Sequence, residues 1–387
     1  MRCLLFTGFN LESKTKSRLE KFDRRGEASF VASVPIAVPI RGRGAGSNPP
    51  NRFEKLHLEP DLDGEPEQQA APSLQVFKDK TSSILAHNDS PDLGFDTSIN
   101  PYRGCEHGCI YCYARPTHEF LGLSAGLDFE SKILIKERAP ELLREALASP
   151  KWKPRIIMMS GNTDCYQPLE RRLKLTRGCL EVLAECRQPV GIISKNFLVT
   201  RDIDLLQELA RHKAVSVTIS VTSLDADLAR VLEPRTSMPK QRLAAIRALA
   251  EAGIPVGVNV APIIPGLTDH EILRIVEAAA DAGAKFAGFT VVRLPHAVKE
   301  LFAQWLDHHA PGKKDKILNA IRSVRDGRLN DPDFGSRMKG EGPLAEQIRQ
   351  TFQVACRRAR LNQGHYPELS VAAFRRPPGP QLQLFAD

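Results

Sequence analysis

Between residues 155 and 294 the chain alternates short apolar runs with longer amphipathic ones, and few architectures accept that rhythm. The apolar runs are RIIMMS (155–160), VGIIS (190–194), AVSVTISV (214–221), PVGVNVAP (255–262) and FAGFTVVRL (286–294). They are apolar throughout, so each strand should bury both faces, as parallel strands covered by helices do. The stretches 171–187, 201–213, 239–253 and 269–282 carry helical spacing. The third begins on Pro239 and ends on Gly253, residues suited to a helix's first turn and its C-terminal stop. One more strand near Ser98–Tyr102 makes about six strand–helix units. The class is therefore α/β, and the architecture an open or partial (β/α)6 barrel. In such sheets the chemistry sits in the loops after the strands' C-terminal ends.

The flanks read differently. Residues 1–94 form a mostly irregular, basic N-terminal arm, with Gly- and Pro-rich GRGAGSNPPNRFE (42–54) and EPDLDGEPEQQAAPS (59–73). Pro35 and Pro39 argue against a central strand in the apolar stretch Phe30–Ile40. The αβ domain spans 95–326, and 327–387 is a C-terminal extension that opens on GRLNDPDFGSRMKGEGP. Charge gathers at the ends: eleven Lys and Arg face six Asp and Glu in residues 1–60, and eleven face seven in 321–387. Such flanks could hold a nucleic-acid substrate, although solvated basic tails are the plainer reading. No apolar run reaches the length of a membrane span, and the first residues lack a signal-peptide cleavage pattern. A cytoplasmic chain with reduced thiols is expected.

Three of the eight cysteines, Cys105, Cys109 and Cys112, lie within eight residues in INPYRGCEHGCIYCYARPTHEF (99–120). Three thiolates are one short of a closed zinc site or of a cluster with four thiolates. On an iron–sulfur cube they would leave one iron without a protein ligand. Gly104 and Gly108 would let the backbone wrap closely around it. The alternatives are a zinc ion completed by His107 or His118, and plain structural thiols. A zinc- or cluster-stabilised binding protein without turnover is the alternative of another class. Cys179 and Cys186 share one helical face and read as core.

The C-x3-C-x2-C spacing, with aromatic Tyr111 before the last cysteine and further βα units behind it, resembles the radical SAM superfamily. The context SINPYRGCEHGCIYCYARPTHEF resembles its spore photolyase-like branch, and the likeness extends over roughly residues 40–376. The resemblance implies a partial radical SAM barrel, a 4Fe–4S cluster on Cys105, Cys109 and Cys112, and S-adenosylmethionine chelated by the open iron. It implies reductive cleavage to methionine and a 5′-deoxyadenosyl radical, which abstracts hydrogen from a substrate. It also implies a one-electron donor such as flavodoxin or ferredoxin, and admits repair or modification of nucleic acid.

The same resemblance marks positions loop by loop. Tyr111 would set its backbone near the adenine. Gly161, Asn162, Thr163 and Asp164 stand where the superfamily often has a Gly-Gly-Glu-like turn, so Asp164 or Asn162 could take the methionine ammonium. A helix N-cap serves Asp164 equally well. Lys195, after Ser194, could pair with the methionine carboxylate, and Arg235 is a second candidate for it. Ser220 and Thr222 would contact ribose or carboxylate, unless Thr222 is simply a good strand residue. Asn259 must be hydrogen-bonded if buried, by a ribose or as a backbone brace. Pro262 and Ile263 would pack on the adenine or in the core. Cys165 could donate hydrogen to a product radical, or be inert. His296 could act as an acid or base near the substrate, with Arg293 and Glu300 nearby.

Overall fold

The computed structural model describes residues 39–53, 72–363 and 367–377. Cys3 and most of the run Phe30–Ile40 lie outside the described residues. Contacts divide the chain between Ile36 and Ala37, and all the described residues belong to the second unit.

Ten strands form among the described residues: β1 (Gln75–Lys78), β2 (Leu85–His87), β3 (Thr97–Ile99), β4 (Tyr102–Arg103), β5 (Lys132–Ile135), β6 (Ile157–Met159), β7 (Val190–Ser194), β8 (Val215–Ser220), β9 (Val256–Ile263) and β10 (Phe286–Val291). The main sheet has the order β10-β9-β8-β7-β6-β3-β2. Its strands from β3 to β10 pair in parallel, and only β2 runs antiparallel, at one edge. The six expected strands are therefore the six parallel ones, and the sheet is open between β10 and β2. A small second sheet, β1-β5-β4, lies beside the loop that follows β3.

The apolar runs do what their composition dictates. Val190, Ile192, Val215, Val217, Ile219, Val256 and Val258 are buried in one core with residues of the covering helices. Those helices are α1 (Ala139–Ala148), α2 (Leu175–Cys186), α3 (Ile203–Arg211), α4 (Pro239–Glu251) and α5 (Ile272–Asp281). In α5 the buried residues Ile272, Ile275, Val276 and Ala279 fall on one stripe at helical spacing. Cys179 and Cys186 are buried on α2, as their spacing predicts.

Two expectations need correction. The helix expected over 171–187 is broken at Lys174, which has a φ of 54°. The Glu170 carboxylate accepts from Thr176 N at 3.0 Å, capping α2 before the preceding turn can run into it. The stretch read as an irregular arm contains β1 and β2, whose pairing partners lie beyond residue 94. Strands of three and four residues leave too short a period to be read from sequence.

After β10 come α6 (Val298–His309), α7 (Lys314–Ser323) and α8 (Gly342–Arg358), the last packed along α5. The Gly-rich loop before α8 is laid against the end of β10, where Val291 N donates to Met338 O at 2.9 Å. Buried Arg325 donates to the carbonyls of Val291, Val292 and Ser336 and ties the two together.

Candidate active site

The C-terminal ends of the parallel strands border a cavity of about 460 Å³. Cys105, Cys109 and Cys112 line it, with Tyr111, Gly161, Asn162, Thr163, Asp164, Ser194, Lys195, Ser220, Asn259 and Pro262. Larger clefts of about 610 and 880 Å³ lie elsewhere, and neither includes a cysteine.

The cysteine loop is shaped by glycine and by one arginine. Gly104 and Gly108 have φ of 81° and 66°, in the left-handed region. A Cβ at Gly108 would also sit 2.7 Å from a carboxylate oxygen of Glu130. Arg115, fully buried, donates to the carbonyls of Cys109 (3.0 Å), Gly108 (3.1 Å), Ala125 (3.1 Å) and Gly126 (2.9 Å) and pairs with Glu130. Glu130 accepts in turn from Gly44 N at 3.1 Å and Ala45 N at 2.9 Å. The GRGAG segment is thus a strap across the back of the loop, so close that a Cβ on Gly44 would lie 1.8 Å from Gly108 O. Gln167 closes the other side, accepting from Glu106 N and donating to Gly104 O. Arg115, Glu130 and Gln167 were missed in the sequence because a buried polar side chain looks like an exposed one until its partners are known.

The three thiols are free. Burial pushes all three up, and repulsion from one another adds to it for Cys105 and Cys109. Three thiolates held close in a buried loop are unfavourable until a cation neutralises them, which suits an iron–sulfur core. Among the described residues no three His, Cys, Asp or Glu side chains are placed to hold a single metal ion. Each candidate fourth ligand has its Nε2 engaged, His118 with Lys132 O at 2.9 Å and His107 with Asn196 Nδ2 at 3.1 Å, while the Nδ1 of each is buried without a hydrogen bond among the described residues.

Asp164 organises the next loop. Its carboxylate accepts from Ser194 Oγ at 2.9 Å, Lys195 N at 2.7 Å and Tyr166 N at 2.9 Å, and His107 Nδ1 lies 3.3 Å away. Burial would raise this carboxyl, but His107 and the backbone donors hold it below the usual carboxylate range. Asn162 is exposed on the same wall, its backbone N held by Asn100 Oδ1 at 2.9 Å. Lys195 Nζ donates to Ala261 O at 3.1 Å. Half-buried Asn259 has no side-chain hydrogen bond among the described residues, so it is not the backbone brace considered above.

Four sequence readings are corrected. Thr222 does not line the cavity; its hydroxyl lies 2.7 Å from Glu233 and 2.9 Å from Ala261 O in a buried network and can donate to one of them at a time. Arg235 also lies off the cavity, donating to Gly42 O and to Glu106, both at 3.2 Å. The residue of the EPRTS segment that matters is Glu233, which accepts from Tyr111 Oη and pairs with buried Arg242. Cys165 is fully buried off the cavity, where burial raises its thiol well above the ordinary value. Its loop turns because Cys165 N donates to Ser160 Oγ and its carbonyl accepts from Thr176. His296 is exposed and away from the cavity; Arg293, three residues before it, is on the wall.

A Radical SAM superfamily model matches residues 99–279, from the strand before the cysteines to α5. An uncharacterized protein of Mycobacterium tuberculosis is 38% identical over 263 residues, which cover 66% of this chain and 76% of that one. The chain belongs to the radical SAM superfamily. Another relative with no assigned role, from Methanocaldococcus jannaschii, is 31% identical over 200 residues, 52% of this chain and 72% of its own. The radical SAM fold is repeated in solved structures of spore photoproduct lyase. One mutant aligns at a TM-score of 0.54 and 17% identity, covering 74% of this chain and 79% of the lyase. Another, with AdoMet and dinucleoside spore photoproduct bound, aligns at 0.53 and 16%. The chain is thus a radical SAM enzyme. No helix of the described residues is long and apolar enough to cross a membrane.

Proposed function

We propose that the chain holds a 4Fe–4S cluster on Cys105, Cys109 and Cys112 and binds S-adenosylmethionine beside it. The observation that carries this reading is the single cavity lined by three free thiols, two buried and one half-buried, and by the polar ends of β6 to β9. When bound, the cluster supplies the electron that splits S-adenosylmethionine into methionine and a 5′-deoxyadenosyl radical, which then takes hydrogen from a substrate.

The protein's own residues hold and enclose the cofactor. Lys195, fixed by Ala261 O, offers its remaining ammonium protons to the methionine carboxylate. Asp164 has most of its acceptor capacity taken by Ser194, Lys195 N and Tyr166 N, so it serves mainly to set the turn. Asn162 and the Gly161–Thr163 backbone are left to receive the ammonium. Asn259, without a side-chain partner among the described residues, and Ser220 meet the ribose hydroxyls. Tyr111 and Pro262 supply the flat apolar wall for the adenine. Apolar Phe129, Met158 and Val291 on the remaining wall keep water from the radical.

The test is anaerobic reconstitution with iron and sulfide, then dithionite and S-adenosylmethionine. Release of 5′-deoxyadenosine is expected; a well-formed cluster that releases none refutes the reading. A one-electron donor such as flavodoxin or ferredoxin would replace dithionite in a cytoplasmic setting. A second reading, a nucleic-acid substrate, draws on the likeness to a lyase solved with a dinucleoside photoproduct and on the basic flanks. Its test is binding of DNA or RNA that weakens steeply with salt.

A further inference from the structure

Three cationic side chains line the cavity among the described residues besides the histidine of the cysteine loop: Lys195, Arg293 and Arg337. Two of them have acceptors. Lys195 Nζ donates to Ala261 O, and Arg337 is paired with Asp92 at 2.7 Å and donates to Ser90 Oγ at 2.5 Å. Arg293 has none among the described residues. Its guanidinium lies over the ring of Tyr113, with Cζ 4.7 Å from the centroid. Tyr113 is itself pinned, since its hydroxyl donates to Gly161 O at 2.7 Å. A guanidinium laid on a fixed aromatic face keeps its fork of in-plane N–H groups free, and that fork matches the two oxygens of an oxyanion.

Arg293 is half-buried and has no acceptor among the described residues, yet its guanidinium nitrogens stay open to solvent, so an anion can reach them. Lys195 follows β7, but its ammonium is engaged by the Ala261 carbonyl of β9, whereas Arg293, which follows β10, keeps its fork uncommitted among the described residues.

We propose that Arg293, stacked on Tyr113, receives a singly charged oxyanion of the substrate, a phosphodiester or a carboxylate, at the β10 end of the cavity. Arg293 then sets which part of the substrate faces the 5′ carbon of the cofactor, acting as a specificity-determining residue. The inference rests on the radical SAM reading for its meaning, but its test does not need turnover.

The test is equilibrium binding to the full chain, by calorimetry, at low salt. The probes are the dinucleotide thymidylyl-thymidine, its uncharged methylphosphonate analogue, and monomethyl succinate. The wild type should bind one of the two anions, and the uncharged analogue should bind more weakly. Arg293→Gln should weaken the anion roughly tenfold or more, and Arg293→Lys should recover part of it. Preference for the dinucleotide identifies a phosphodiester, and preference for the succinate ester a carboxylate. Equal anion binding by wild type and Arg293→Gln would overturn the proposal, as would no binding of either anion. So would loss of S-adenosylmethionine affinity in Arg293→Gln with anion binding unchanged. Iron and sulfide content of the same samples reports on the radical SAM reading separately.

Discussion

Glu233 is the residue whose replacement tests the buried framework most sharply. It is fully buried, accepts from Tyr111 between the second and third cysteines, accepts from Thr222, and pairs with Arg242. Burial alone would raise its carboxyl, but Arg242 and then Lys195 outweigh that and move it from 4.5 down to about 2. That displacement corresponds to about 3 kcal/mol at neutral pH. Glu233→Gln leaves the shape intact but strands the Arg242 guanidinium, and breaking a buried pair from one side costs about 3–5 kcal/mol. The two routes agree on size. Because the folded value is depressed, the contribution is fully present above the unfolded value of 4.5. It is lost as the pH falls through about 2. Urea unfolding of both proteins across that range should therefore show a gap of about 3–5 kcal/mol at neutral pH that narrows on acidification. A gap below about 1 kcal/mol at neutral pH, or one that stays constant down to about pH 3, would refute the reasoning.

Other residues give separate tests. Gly44→Ala must move the strap, since its Cβ would fall 1.8 Å from Gly108 O; a loss of about 1–3 kcal/mol and poorer iron retention are expected. Gly94→Ala, with nothing within 4 Å of its Cβ, should change neither, as urea midpoints and iron assays can check. Asp164→Asn should keep its iron but weaken S-adenosylmethionine binding by at least roughly tenfold in equilibrium dialysis, because the amide cannot accept from all its present donors. Cys165→Ala should release 5′-deoxyadenosine within about twofold of wild type, since the thiol is sealed in the core.

What the sequence revealed follows from the kind of signal each residue carries. The parallel strands were legible because Val and Ile runs such as VGIIS have one use in a chain of this rhythm. The cysteine loop was legible because three like ligands at short spacing are rare by chance. Asn162, Asp164 and Lys195, which follow strands, Ser220, which ends one, and Asn259, inside one, were marked by the family resemblance, and all reach the cavity. Position alone failed where rotation decides. Thr222 stands two residues past Ser220 yet turns into the Glu233 network. In the same way EPRTS (233–237) was the right segment, but Arg235 faces Glu106 while Glu233, not singled out from the sequence, is buried. Cys165 was chosen for its loop, and the loop turns it inward. The strap at Gly44 was unreadable, since its meaning lies in Glu130, more than eighty residues away.

The central claim is that three cysteines leave one iron open and that S-adenosylmethionine occupies it. The most direct measurement is electron–nuclear double resonance on the reduced, reconstituted protein with S-adenosylmethionine carrying nitrogen-15 in its amino group. A hyperfine coupling from that nitrogen to the cluster is expected, and no cluster signal when Cys105, Cys109 or Cys112 is replaced by Ala. A cluster that forms, binds the labelled molecule by equilibrium dialysis and shows no coupling would contradict the claim.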